Sequence, residues 1–213
     1  MKPLKHLKII AIVCPVFLLL SSCFGLNMDI ALNQNGSGTL SLEYRISKSL
    51  DSIGKLDGNE RWNTIPVGKA DFERTLARLP EMKLLSFSSG EDEKNVIISS
   101  KMEFSSISGL LAFLDASGRR SSFLGDAGSG RLLITLSEGT GINNPGLSKL
   151  IEDISATYSI SMSMSFHGEG SLEILDTNGT PLEPQKRGKK LSCSFPLYDV
   201  ISSGNGIKAV FSF

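Results

Sequence analysis

Ser159-Ile160-Ser161-Met162-Ser163-Met164-Ser165-Phe166 decides how this chain folds. Apolar and hydroxyl residues alternate without a break. A strand has a period of two, so this segment carries one greasy face and one hydroxyl face. Such a strand belongs to a sheet that is covered on one side and open to water on the other.

The same alternation spreads outward in both directions. Downstream, Leu172 and Ile174 form a strand, Asp176-Thr177-Asn178-Gly179-Thr180-Pro181 is a turn, and Leu191, Cys193 and Phe195 alternate up to Pro196. Ile207, Ala209, Phe211 and Phe213 make the last strand. Upstream, Asn144-Pro145 is an N-cap followed by a first-turn proline, opening a helix with Leu147, Leu150, Ile151 and Ile154 on one side. Arg131 to Leu136 reads as a strand and Ser117–Ser122 as a basic loop. Met82–Phe87 and Asn95–Phe104 flank an acidic turn and read as a hairpin, preceded by a short helix carrying Phe72 and Leu76. Met28, Ile30 and Leu32 alternate on one side of an Asn35-Gly36 turn, and Leu40, Leu42, Tyr44 and Ile46 on the other, a strong hairpin signal. Residues 51–69, rich in Gly, Asp and Asn, read as a loop that Trp62 packs onto the core. The fold class that follows is α+β: mostly antiparallel sheet built from about eight or nine strands in hairpins, with about three short helices packed on one face.

Chemistry is sparse in this sequence. Past residue 22 there is one histidine, His167, so a nucleophile–imidazole site would have to use it. His and Cys are too few for a zinc site, no Asp-x-Asp-x-Asp calcium loop is present, and no cofactor motif occurs. Glu152 and Asp153 are adjacent on a helix and diverge. No enzyme, metal or cofactor is expected. A hydrolase centred on His167 and acids assembled in space is the third-ranked reading.

The first 23 residues carry an address. Lys2, Lys5 and Lys8 precede the apolar run Ile9–Leu20, which is too short for a comfortable span, and Leu20-Ser21-Ser22-Cys23 follows. This resembles the lipobox of bacterial lipoproteins, the alternatives being an ordinary signal peptide with a chance cysteine or an anchor helix. The resemblance implies a signal peptide over 1–22. It implies lipidation of Cys23 through a diacylglyceryl thioether and an N-acyl chain such as palmitate. A short tether over 23–27 and a single extracytoplasmic domain over 28–213 complete the division. Removing 1–22 leaves 19 basic against 22 acidic residues, a net of −3, which argues against nucleic acid as a partner. Only Cys193 then remains besides Cys23, on an apolar strand face where it reads as a buried small hydrophobe.

Two segments are candidate lipid contacts. Ile107, Leu110, Leu111, Phe113 and Leu114 make the helix Ile107–Leu114, capped by Ser105 or Ser106, apolar nearly all round. It is either deeply buried or inserted in something greasy. Lys186, Arg187, Lys189 and Lys190 surround Gly188, either as a solvated hairpin loop or as a contact for anionic headgroups.

The strand just after Cys23, Asn35-Gly36-Ser37-Gly38, the Tyr158–Phe166 segment, the Asn178-Gly179 turn and Leu191–Pro196 follow in an order similar to that of LppM-type lipoprotein domains. That resemblance implies an α+β surface domain of a cell-envelope lipoprotein, with lipids among its candidate contacts. Phe24, not aspartate, follows Cys23. By the sorting rule of enteric bacteria this points to the outer membrane or cell surface, with the inner membrane as the alternative. The expected function is a lipid-anchored, non-enzymatic binding or structural module at the membrane surface. Its partners are the membrane through Cys23, and lipids or other envelope proteins. The alternative is a lipid-binding or membrane-perturbing protein that works through the 107–114 helix.

Overall fold

The computed structural model describes residues 24–48, 68–126, 129–139, 141–142, 144–176, 181–182, 185–187 and 190–213. Twelve strands and four helices occur among them. In chain order these are β1 (Phe24–Leu32), β2 (Gly38–Ser47), α1 (Lys69–Leu76), β3 (Met82–Glu91), β4 (Asn95–Phe104), α2 (Ile107–Leu114), β5 (Ser121–Asp126) and β6 (Ser129–Ser137). They continue with α3 (Pro145–Ser155), β7 (Ser159–Ser165), β8 (Ser171–Asp176), β9 (Pro181–Leu182), β10 (Gln185–Arg187), β11 (Lys190–Pro196), α4 (Leu197–Ser202) and β12 (Ile207–Ser212).

The larger sheet has the order β10-β11-β7-β1-β2-β4-β3 and the smaller β5-β6-β12-β8-β9. β1 and β2 form the hairpin its alternation predicts, with Met28 opposite Leu42 and Ile30 opposite Leu40. Gly36 takes φ 79°, a left-handed conformation that glycine adopts at little cost, and the Asn33 carbonyl accepts its N–H at 3.1 Å. The Asn35 carboxamide oxygen accepts the Ser37 N–H at 3.1 Å and closes the turn. On its other edge β1 runs parallel to β7, Met28 beside Met162 and Ile30 beside Met164.

One face of the large sheet is therefore apolar, and it shares a single core with the inner face of the small sheet. Leu40, Met102, Phe104 and Met164 of the first and Ala209 and Phe211 of the second are fully buried there. α1 closes one flank: its buried Phe72 packs on Tyr44 (6.5 Å between ring centroids) and Phe87 (5.7 Å). Its N-terminus is capped from within, the Asp71 carboxylate accepting the Gly68 N–H at 3.1 Å. α2 follows β4 through Ser106, whose hydroxyl accepts the Gly109 N–H at 3.1 Å, and α3 through Asn144, whose side chain accepts the Leu147 N–H at 3.1 Å.

Several expectations need correcting. There are four described helices and two sheets, where about three helices on one sheet were expected. The extra helix, α4, is only six residues long and leaves no periodic trace in the sequence. The expected mostly antiparallel character holds for the described pairings with one exception, β1 and β7, which pair in parallel. The tether read over 23–27 is strand from Phe24 onward: Phe24 pairs with Ile46 and Leu26 with Tyr44, since Leu26 continues the alternation of Met28 and Ile30. Ser121 and Ser122 belong to β5 rather than to a loop. Cys23, Trp62 and Lys189 lie outside the described residues.

The loop entering β5 is organised by Asp115. Its carboxylate accepts the Ser117 hydroxyl (2.5 Å), the Ser117 N–H (3.0 Å), the Ser121 N–H (2.9 Å) and the Arg120 N–H. The Ser117 hydroxyl first, then the three amides, hold its carboxyl at about 2, against the opposing effect of desolvation. Because the folded value lies below the unfolded one, this anchor is fully present above about pH 4 and is lost as the pH falls to about 2. The stability gap between wild type and Asp115→Asn, measured by urea denaturation, is expected to be constant above that window and to close through it.

Candidate functional site

The face of the large sheet that no described element covers is the candidate site. Strand register stacks its outward side chains into rows that cross six strands. One row reads Ser194, Ser161, Asn27, Glu43, Ser99, Ser88 from β11 to β3. The next reads Ser192, Ser163, Asp29, Ser41, Lys101, Ser86. Every side chain in both rows can hydrogen-bond, and none is aromatic or aliphatic. Together they line a concavity of about 710 Å³.

One side of the concavity is fixed by an ion pair. The Asp29 carboxylate accepts the Ser163 hydroxyl at 2.7 Å and lies 2.9 Å from the Lys190 ammonium. Next to it the Ser161 and Ser194 hydroxyls lie 2.8 Å apart across β7 and β11. Towards β3, Lys101 forms no ion pair among the described residues, and Ser41 and Ser99 point outward with no side-chain hydrogen bond among them. The face thus has a pre-set half, from β1 to β11, and an open half, from β2 to β3. Cys193 lies beneath it on the apolar side, and burial pushes its thiol up to about 11, the behaviour of an inert core residue.

Sequence reading saw the hydroxyl face of one strand only. The signal that would have extended it is the recurring Ser-x-Ser, at Ser86-Phe87-Ser88, Ser161 to Ser165 and Ser192-Cys193-Ser194.

The two candidate lipid contacts sit elsewhere. In α2, Ile107 and Leu110 are buried, and Leu111, Phe113 and Leu114 are half-buried against the core. Ser108 and Ala112 are the exposed members of the helix. In the basic segment, Lys186 and Arg187 fall in β10 and Lys190 opens β11, where its charge is taken up by Asp29. The side chains of Lys186 and Arg187, and the whole of Lys189, lie outside the described residues.

Both segments are at the same end of the sheet. Leu32, Gly38, Phe104 and Met82 form the last row there; α2 follows Phe104, and Lys190 pairs with Ser165 beside Ala31. Phe24, the neighbour of Cys23, lies in the row at the opposite end with Ile46, Val96 and Glu91. Eight residues of strand separate the end rows, about 26 Å at about 3.3 Å per residue.

Other candidates resolve into local structure. Of the acidic turn, Asp92 accepts the N–H groups of Lys94 (2.8 Å) and Asn95 (2.6 Å), and its carboxyl is held below the usual range chiefly by the Asn95 side chain. No group of three or more metal-ligating side chains occurs among the described residues. His167 is exposed in the turn after β7 and makes no side-chain hydrogen bond among them. Glu152 and Asp153 both pair with Lys149, at 3.4 and 2.9 Å.

No family model matches the chain, and no curated protein matches it. Among solved structures it is similar to the NMR structure of the folded domain of the Mycobacterium tuberculosis protein LppM. Identity is 11%, the alignment covers 90% of each chain, and the TM-score is 0.45.

Proposed function

We propose that this chain is a lipid-anchored, non-enzymatic binding module of the bacterial cell envelope, attached through Cys23 and binding through the concave polar face of its larger sheet. The observation that carries the reading is the composition of that face. A sheet surface that only needs to be soluble is well served by threonine and long charged side chains; serine is not among the strand formers. Here eight of the twelve residues in the two central rows are serine. Short hydroxyls give up strand propensity and leave the hollow unfilled, which suits a surface that something else occupies. A strand that starts at Phe24 seats this sheet directly after the lipid site, with no length of free chain between them.

Two measurements test the reading. Cys23→Ala is expected to abolish incorporation of a labelled fatty acid into the protein; labelling of the variant to the wild-type extent would refute the anchor. Ser41→Arg, which fills the hollow from a solvent-facing position, is expected to abolish retention of the detergent-solubilised protein by immobilised, delipidated envelope material while leaving its melting temperature within about 2 °C. Unchanged retention would refute the face as the binding surface. The same argument predicts that Ser41→Thr with Ser99→Thr stabilises the fold, each change by a few tenths of a kcal/mol on a propensity scale spanning about 1 kcal/mol.

A further inference from the structure

We infer that the occupant of the concave face is an extended, uncharged glycan chain lying across the strands; this rests on the proposed binding role of that face and names its ligand class. Four properties of the face select this chemistry.

First, every side chain of the two rows can hydrogen-bond, which suits a polar ligand, while Met28, Leu42, Phe87 and Met162 reach the wall of the concavity between them. Second, most of its groups are hydroxyls, which both donate and accept, as the hydroxyls of a sugar do. Asn27 and Glu43 at the centre add an amide and a carboxylate, which take up sugar hydroxyls in pairs. Third, the charges nearly cancel. The two rows hold Asp29, Glu43 and Lys101, and Lys190 beside them balances the count, so neither a phosphate-rich nor a polycationic ligand is favoured.

Fourth, the shape suits a chain rather than a single small molecule. The rows cross six strands spaced about 4.8 Å apart, a trough about 24 Å long. That strand spacing is close to the advance of one pyranose in an extended β-linked glycan, so successive sugars meet successive strands and the same set of hydroxyls. The absence of an aromatic platform from the two rows means that each sugar is held edge-on by hydrogen bonds rather than stacked. Affinity therefore accumulates along the chain instead of concentrating at one subsite.

The test uses full-length protein in detergent, with N-acetylated chito-oligosaccharides of one to six sugars as probes in calorimetry and insoluble chitin in co-sedimentation. Affinity is expected to rise with each added sugar up to about six, matching the strands crossed. Ser41→Arg and Ser99→Arg are expected to weaken hexasaccharide binding at least about tenfold. Ser122→Arg, on the outer side of the smaller sheet, is expected to leave it unchanged. Ser41→Thr, which keeps the hydroxyl, retains binding if hydrogen bonding carries it. Affinity that stops rising at one or two sugars, or hexasaccharide binding indifferent to both arginine variants, overturns the inference. If chitin and all the oligosaccharides fail to bind while Ser41→Arg still abolishes retention by envelope material, the glycan assignment falls and the binding face stands.

Discussion

Leu110→Asp is expected to abolish cooperative folding, and Ala112→Asp, two residues along the same helix, to leave the melting temperature within about 2 °C. Leu110 is 1% exposed and sits in the shared core, whereas Ala112 faces solvent. An aspartate at position 110 has no cation to pair with among the buried residues. Burying an unpaired carboxylate costs several kcal/mol even after relaxation and a shift in its pKa. Total stabilities are only about 5–15 kcal/mol, so that loss is a large share of the whole. Circular dichroism and thermal melts of the two variants decide the matter. If instead Leu110→Asp stays folded while losing the ability to permeabilise liposomes, α2 is a membrane-active segment and its packing here is not its working state.

Phe104→Ala is expected to cost about 3–5 kcal/mol, or roughly 6–20 °C of melting temperature. The ring is fully buried where β4 ends, and its space exists because residue 38 has no side chain. A Cβ at Gly38 would lie 2.5 Å from the ring's Cζ and would collide with the Ala31 carbonyl oxygen. The pair makes the prediction sharper. If only the ring excluded a side chain at 38, Phe104→Ala would make Gly38→Ala harmless. Because a backbone carbonyl also stands in the way, Gly38→Ala is expected to remain destabilising in the Phe104→Ala background, by about 1–3 kcal/mol. Urea unfolding of the single and double variants measures this, and a double variant no worse than Phe104→Ala alone would contradict it.

How much of this was legible in the sequence differs from element to element. Alternation placed β1, β2, β4, β7, β11 and β12, because one buried face imposes a period of two on the chain itself. Capping chemistry placed the starts of α2 and α3, since Ser106 and Asn144 act on amides three residues away. β5 was missed because Ser121-Ser122-Phe123-Leu124-Gly125-Asp126 puts Phe123 inward and leaves Leu124 78% exposed, so no apolar rhythm shows. The parallel pairing of β1 with β7 was invisible for a different reason: nothing local at residues 26–31 specifies a neighbour at 160–165. The candidate site shares that obscurity. Its rows combine residues from six strands between Asn27 and Ser194, and no single segment holds more than a few of them. The helix at 107–114 posed the reverse problem, because a segment apolar nearly all round reads alike whether protein or lipid surrounds it.

The parallel β1–β7 pair also sets an order of events in folding. β1–β2 and β3–β4 are hairpins and β2 pairs with β4 between them, so this half of the sheet can assemble from the first 104 residues. The other edge of β1 then waits for a strand more than 120 residues further along the chain, a contact of high order that closes slowly. During synthesis the N-terminal strand emerges first and its partner late. In that interval a four-stranded sheet of nine- and ten-residue strands stands with β1 as an open edge, a template for any extended segment nearby. Completion of the sheet is thus a race between β7 and competing strands. Variants that weaken the α3–β7 region are expected to show themselves first as poor yield and aggregation, before any loss in the stability of the finished protein.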